Sequence, residues 1–245
     1  MNKRSNPPKS DPVRRDTGLA SSVSRRSFLE AAVTASTVSA REAFGEKRPA
    51  ERRNETAKMN PRLFTFVAGN SGQWKMTNSV PIIGEGLPLA RRLDVVNRAV
   101  SELLAGAHWL LRGVTSNDRY VTRAEKDQLT ANQPALGRAE ADCAALIPIR
   151  KNPKWWALTP DERRRIFEEH SHHTATGLKY LPAVVRRLHH CRDLGTNEPF
   201  DFLTWFEFAS ADSSAFDRLL AELRATPEWT FVEREVEIRL LRDGA

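Results

Sequence analysis

The pattern of hydrophobic and polar positions is clearest from residue 159 onward, where it becomes helical. Thr159 and Glu162 have the spacing of a capping box, and Pro160 occupies the first helical position. The helical pattern continues past a group of histidines toward Lys179. A single helix that carries several histidines is therefore predicted.

Strand and helix patterns alternate through the rest of this half. Residues 184–191 and 202–208 alternate as two strands that can pair, 211–224 have helical spacing, and 230–241 alternate again as a final strand. This order predicts an α+β fold with ferredoxin-like antiparallel sheets and packed helices. One sheet face is expected to pack on helices or on a partner subunit.

The first half has weaker patterns. Residues 63–67 predict a strand, which the turn-forming composition of 69–72 ends. Residues 108–114 and 143–149 also predict strands, and the polar segment between them is predicted to be helical. An amphipathic helix is predicted over 88–105, from the helical spacing of Leu89, Leu93, Val96, Val100 and Leu103.

The charge of the chain is concentrated in a leader. Residues 1–58 have 13 Lys and Arg against 7 Asp and Glu, whereas residues 59–245 have 25 against 24. The leader is rich in Ser, Pro, Arg and Ala, and has too little apolar surface to fold alone. The folded domain is therefore expected to be 59–245, and the basic composition does not predict a nucleic-acid partner.

The leader contains a possible export signal. Residues 24–29, SRRSFL, precede a weakly apolar run and resemble a twin-arginine signal, which predicts a periplasmic protein. The alternative is that Met59 is the true start and that the protein is cytoplasmic. No apolar run approaches the ~20 residues of a membrane span, so no such span is predicted.

Residue types that bind metals are clustered. The two cysteines, Cys143 and Cys191, lack CxxC spacing and are interpreted as buried thiols, although one bridge is possible in an exported protein. Neither HExxH nor CxxC spacing supports zinc, whereas haem ligation needs only one neutral imidazole on a stiff element. Five of the six histidines fall within 21 residues: His170, His172, His173, His189 and His190.

One arginine stands out on the strand that follows the helix. Arg186 and Leu188 share a face by alternation, and Thr204 and Phe206 share a face of the next strand. If those faces coincide, Arg186 lies among apolar groups, where a cation needs an anion or a cofactor carboxylate. The alternative is that Arg186 and Arg187 are ordinary edge-strand charges.

Several short motifs together suggest a family. They are residues 152–156, 161–164, 171–173, 180–182, 186–194, 201–207 and 227–229. This combination resembles the chlorite dismutase family, over essentially residues 60–245. The resemblance implies a dimeric α+β barrel and an enzyme that uses haem b to convert chlorite, a small anion, to chloride and dioxygen.

The resemblance also implies two central residues. The family has a proximal histidine on a helix and, about thirteen residues later, a distal arginine on the following strand. Counting back from Arg186, the catalytic arginine, identifies His173 as the iron ligand. His170 is the rival, because it lies about one helical turn away on a similar face.

Other site residues follow from the same resemblance. Glu228 matches the carboxylate that accepts a hydrogen bond from the ligand's second nitrogen, which raises its basicity. Trp155 and Trp156 match paired tryptophans near the haem, and Lys151 and Tyr120 are weaker candidates for the side of the haem propionates. A small and dry pocket is expected from Leu188, Thr204 and Phe206.

The family comparison leaves alternatives open. The length of residues 59–245 matches the short lineage of the family, whose members are homodimers. The related coproporphyrin-haem decarboxylases lack the distal arginine, so Arg186 argues against that activity. A haem-binding or sensing module without chlorite activity, and a metal-free structural dimer, remain as alternatives.

Overall fold

The chain folds into a closed antiparallel β-barrel. The computed structural model describes residues 60–100, 106–116, 119–195 and 197–243. In this part of the chain, eight strands close in the order β1-β3-β2-β8-β5-β7-β6-β4. They are β1 (Leu63–Gly69), β2 (Trp74–Ile83), β3 (Arg92–Val96), β4 (Ala107–Thr115), β5 (Cys143–Lys151), β6 (Val185–His190), β7 (Phe202–Phe208) and β8 (Val232–Arg242).

Helices pack on the outside of the strands β5 to β8. Those described are α1 (Arg123–Asn132), α2 (Pro153–Ala157), α3 (Pro160–Arg164), α4 (His173–Lys179) and α5 (Ser213–Arg224), with a π-helical turn at Arg165–His170 and 3₁₀ turns at Arg192–Leu194, Ser210–Asp212 and Pro227–Phe231. Local signals explain their starts. Thr122 and Glu125 form a capping box at α1, and the Asn152 side chain accepts a hydrogen bond from the Trp155 amide at α2.

Two apolar clusters follow from the strand alternation. Inward-facing side chains such as Phe66, Trp205 and Ile238 fill the barrel. Outward-facing side chains such as Ile147 and Phe206 pack against the apolar face of α5, which is formed by Phe216, Leu219, Leu220 and Leu223. Each fully buried large side chain stabilises the fold by about 1.5–3 kcal/mol. The predicted α+β fold and the antiparallel pairing of β6 with β7 are confirmed.

The helix predicted over 88–105 is wrong, because β3 lies there. Leu93 is fully buried in the barrel and pairs with Trp74 of β2, and Val96 pairs with Thr65 of β1. A five-residue strand between two other strands satisfies its backbone groups on both sides, which outweighs a weak helical spacing. Residues 101–105 lie outside the described ranges.

Other sequence-based expectations have simple outcomes. The predicted leader and its twin-arginine motif lie outside the described residues. Cys143 and Cys191 are buried free thiols, and burial raises the pKa of both. Within the described ranges, no helix is long and apolar enough to cross a membrane.

Candidate functional site

The histidine-bearing helix is divided rather than continuous. After α3 and the π-helical turn, His172 adopts left-handed backbone angles (φ 49°), and α4 begins anew at His173. The buried Glu168 caps this second start, since its carboxylate accepts hydrogen bonds from the amides of Thr174 (2.7 Å) and Ala175 (3.3 Å). A carboxylate is favoured at a helix N-terminus, and here it fixes the first turn of α4. His173 therefore has a rigid backbone.

A buried carboxylate holds the His173 imidazole. Glu228 Oε2 lies 2.7 Å from His173 Nδ1, and Glu228 Oε1 accepts a hydrogen bond from Lys151 Nζ at 2.9 Å. The Glu228 amide donates to Ser171 Oγ (3.0 Å), which ties the 3₁₀ turn of Glu228 to the start of α4. With Nδ1 donating to a carboxylate, His173 has Nε2 left to bind a metal ion.

Charge balance keeps Glu228 ionised. Burial raises the pKa of this carboxyl, but the positive charge of Lys151 and the contact with His173 outweigh it and lower the pKa to about 2. The side chains of Lys151 and Glu228 are 3% and 6% exposed. Lys151 is therefore the counterion of Glu228, and its ammonium group is already engaged there.

His173 opens onto a slot that consists of two adjoining cavities, a larger one of about 290 Å³ and an inner one of about 60 Å³. Both cavities are lined by Arg119, Phe167, His173 and Leu188. Phe167 stacks on the imidazole with ring centroids 4.3 Å apart. The inner cavity has mainly apolar and aromatic walls, which include Ile149, Trp155, Phe202 and Trp229.

Arg186 faces the same slot from β6. The strand register pairs Arg186 with Phe206 and Leu188 with Thr204, as the predicted alternation requires. A Cβ atom added to Gly177 of α4 would lie 2.6 Å from Arg186 Cζ, so the glycine leaves room for the guanidinium.

Arg186 remains a cation although it is desolvated. Burial lowers its pKa, and the charges of Glu228 and Glu168 raise it. A guanidinium does not lose its proton in proteins. Among the described residues, no carboxylate lies within ion-pair distance of Arg186. The slot therefore combines an imidazole and an unpaired cation, both on the wall of its larger cavity.

Most of the predicted site residues line the inner cavity. Those found there are Tyr120, Lys151, Trp155, His173, Leu188, Thr204 and Glu228. Lys151 was a weaker candidate for the side of the haem propionates, and the structure pairs its ammonium group with Glu228. Tyr120 has a positive φ of 65° and packs edge-on against Trp155.

Three predicted residues lie off the slot. Trp156 stacks on the outer side of Phe202 and donates to Asp201 (3.2 Å), so it supports the wall without lining it. Phe206 is buried against Phe216 of α5. His170 is exposed at the end of the π-helical turn and does not line either cavity of the slot. The broken helix separates it from His173, which is the physical reason that the one-turn argument fails.

The sequence-based reasoning missed several lining residues. Arg119 lines both cavities and pairs with Asp193 at their edge, and His190 borders the inner cavity. Arg119 adjoins the predicted Tyr120, which was the available signal. Burial lowers the pKa of His190 to about 4; Arg119 and Arg62 also lower it, and Asp193 raises it.

His189 points to the other side of β6. Burial lowers its pKa to about 4 as well, although the hydrogen bond between its Nδ1 and the Leu203 carbonyl (3.1 Å) raises the pKa. Both histidines of β6 are thus neutral at pH 7. Within the described part of the chain, no cluster of three or more His, Cys, Asp or Glu side chains is placed to hold a metal ion, so the zinc alternative gains no support.

The fold and the site define a class of protein: an α+β barrel with a carboxylate-held imidazole facing a slot that also contains an arginine with no carboxylate partner in the described part of the chain. A family model described as chlorite dismutase matches residues 89–241. The chain belongs to the chlorite dismutase family.

Individual relatives agree with this assignment. The crystal structure of dimeric chlorite dismutases from Nitrobacter winogradskyi superposes on this chain with a TM-score of 0.68 and a sequence identity of 55%. The match covers 73% of this chain and 99% of that one. A chlorite dismutase from Ideonella dechloratans is 33% identical over 122 residues, which are 48% of this chain and 39% of the relative. The chain thus spans well under two thirds of that curated relative. A Candidatus Nitrospira defluvii chlorite dismutase structure in complex with imidazole (19% identity, TM-score 0.53, 74% and 92% coverage) shows the shared fold alone.

Proposed function

We propose that this protein is a haem b enzyme that converts chlorite to chloride and dioxygen. The observation that carries the proposal is the shared slot, in which the carboxylate-held His173 and the unpaired Arg186 line one cavity. Chlorite contains both oxygen atoms of the product dioxygen, so the reaction needs no external reductant or oxidant. The site must therefore bind one small anion and exclude competing water.

The residues present fit a haem. His173 Nε2 is the free donor, and Glu228 supplies the acceptor that fixes the tautomer and raises the basicity of the imidazole. The aromatic and aliphatic walls suit a flat apolar ring system, and Arg119 at the edge, whose ion pair with Asp193 is partly exposed, has further guanidinium donors for a carboxylate substituent. When bound, the haem iron supplies the redox chemistry.

Arg186 is the group that binds the reacting anion. Its guanidinium is fixed by β6 and by the close approach of Gly177, and no nearby carboxylate competes for it among the described residues. Charge-assisted hydrogen bonds in a desolvated site are short and strong, so Arg186 retains chlorine oxyanions until dioxygen has formed. Leu188 and Thr204 narrow the cavity beside it.

Reconstitution with haem tests the proposal. The purified protein should develop a Soret band and, after chlorite is added at an oxygen electrode, release one dioxygen per chlorite. Arg186→Ala should keep the Soret band, but its turnover should fall about 10²-fold or more, which is the typical cost of removing one hydrogen-bond donor to a reacting oxyanion. The haem of this variant should also bleach faster.

A charge-matched control separates this role from a general charge effect. Arg150→Gln removes an exposed arginine of β5 and should behave like the unmodified protein. A Soret band without oxygen would identify a haem-binding or sensing module instead. Full oxygen yield from Arg186→Ala would remove that residue from the mechanism.

The homodimer belongs to the same proposal. It is supported by the dimeric relative and by exposed apolar side chains on neighbouring strands, Val80 and Ile82 of β2 and Leu241 of β8. Light scattering after size exclusion should give twice the chain mass. A monomer at micromolar concentration would contradict it.

Export through the twin-arginine route is also proposed, from the motif at residues 24–29 alone. The chain fused to a reporter should reach the periplasm, and replacement of Arg25 and Arg26 by Lys should retain it in the cytoplasm. If the two fusions have the same distribution between periplasm and cytoplasm, Met59 is favoured as the start of the protein.

A further inference from the structure

The arginine pair of β6 is divided between two different environments. Arg186 faces the slot, whereas Arg187 projects into the barrel and pairs in register with Trp205. The proposed reaction uses only the first of these cations. Arg187 is partly buried there, and this burial lowers its pKa, so the cation needs a separate physical explanation.

Arg187 lines a cavity of about 280 Å³ at one end of the barrel interior. This is the end where β6 begins and where β7 and β8 finish, and the segment around Gly137 borders it. The charged groups on the cavity wall are two guanidinium groups, Arg187 and Arg242, and one carboxylate, Glu207. The slot and this cavity lie on opposite faces of β6 and have no lining residue in common.

The single carboxylate is already engaged. Glu207 accepts hydrogen bonds from the Gly137 amide (2.5 Å) and from the Trp205 indole (2.9 Å), and Arg242 Nη2 is 4.0 Å from it. Arg187 lies over the Phe64 ring, 4.9 Å from its centroid. In the described ranges, no carboxylate comes within 4.0 Å of Arg187.

Further groups in the cavity do not supply negative charge. Arg242 donates from Nη1 to the Arg138 carbonyl (2.8 Å) and lies over the Trp74 ring, but its buried Nε has no hydrogen-bond partner among the described residues, and the same holds for His189 Nε2. Burial lowers the pKa of His189, and the charge of Arg187 lowers it further, so the imidazole is neutral at pH 7. The cavity wall thus has one net positive charge, with unused donors on its guanidinium groups.

We propose that this cavity binds one small monovalent anion, of halide size or a small carboxylate or oxyanion, between Arg187 and Arg242. The anion would neutralise the excess charge and satisfy the guanidinium donors that lack partners. The site is distinct from the slot and extends beyond the proposed function. Its occupancy is expected to stabilise the barrel, since a ligand that binds only the folded state raises its stability.

Bromide is a suitable probe, because it has the required size and charge and can be located by anomalous scattering. Crystals of the full-length haem-loaded protein soaked in sodium bromide should show an anomalous peak in the cavity beside Arg187. In solution, bromide at ten times its Kd should raise the Tm by about 3–6 °C. This shift should saturate with bromide concentration.

Variants compared at the same salt concentration separate binding from ionic strength. Arg187→Gln should lose the saturable shift and the anomalous peak, while its Soret band and oxygen yield stay unchanged. Arg150→Gln, which loses an exposed arginine elsewhere, should follow the unmodified protein. Near-ultraviolet circular dichroism verifies that each variant is folded.

Two results would overturn the proposal: an empty cavity in the soaked crystals of the unmodified protein, or equal bromide shifts in the unmodified protein and in folded Arg187→Gln. If Arg187→Gln fails to fold, the soak of the unmodified protein still decides. Neither readout depends on chlorite turnover. Failure of this site and failure of the proposed function are thus distinguishable.

Discussion

Glu228→Gln is the most informative single substitution, because it removes one charge from the buried group around His173. The change keeps the size of the side chain and leaves the Lys151 ammonium without its counterion. In the unmodified protein these two charges are 2.9 Å apart, with side chains that are 3% and 6% exposed. The substitution therefore tests how far burial makes this pair essential.

The magnitude follows from the pKa of Glu228. A decrease from 4.5 to about 2 corresponds to about 3 kcal/mol of preference for the charged form in the folded state. Independently, removal of one partner from a buried ion pair typically costs about 3–5 kcal/mol. We therefore expect Glu228→Gln to lower the free energy of unfolding by about 3 kcal/mol.

A surface ion pair of the same length supplies the control. Arg150 and Glu233 are also 2.9 Å apart, but their side chains are 53% and 36% exposed. Glu233→Gln should lower the free energy of unfolding by about 0–1 kcal/mol, because water screens that pair. Burial is then the main difference between the two substitutions.

Urea unfolding at pH 7, followed by circular dichroism, measures both effects by linear extrapolation. The protein should be prepared without haem, so that cofactor binding does not add to the stability. If the two variants differ by less than 1 kcal/mol, the reasoning from burial is refuted. Unchanged m-values are needed to exclude an altered denatured state.

Two further predictions concern the histidines. His173→Ala should lose the ligand and change the Soret spectrum in a haem titration, whereas His170→Ala should bind haem like the unmodified protein; the reverse would make His170 the ligand. His189 and His190 bind protons in the unfolded chain near pH 6.5 but in the folded protein only near pH 4, so the free energy of unfolding should fall as the pH decreases across that window. The loss is up to about 3 kcal/mol for each histidine, and His189→Gln should flatten the curve obtained by urea unfolding at each pH.

Local sequence patterns predicted the second half of the fold well. Alternation predicted that Arg186 and Leu188 share a face of β6 and that Thr204 and Phe206 share a face of β7, and the observed register brings these two faces together. This succeeded because side chains alternate strictly along a strand, so the sequence alone determines which residues share a face. The capping box of Thr159 and Glu162 was equally local and is present.

Two features of the fold were not predictable in this way: one depends on strands distant in sequence, and the other on a side-chain cap six residues away. The segment that forms β3 has helical spacing, and only the neighbouring strands β1 and β2 make it a strand. The division between His170 and His173 depends on Glu168, which folds back to cap α4. Neither effect has a signature in the local period.

The sequence by itself determined the alternation within β6 and within β7, and the family resemblance pointed to His173 and Glu228 as candidate site residues. Only the tertiary structure decided that Lys151 is the counterion of Glu228, that Arg119 borders the slot, and that Arg187 lies in the barrel beside a carboxylate already engaged. The physical reason is that periodicity determines which residues of a strand share a face. The burial and the charge balance of a side chain depend instead on the groups that the closed barrel brings near that side chain.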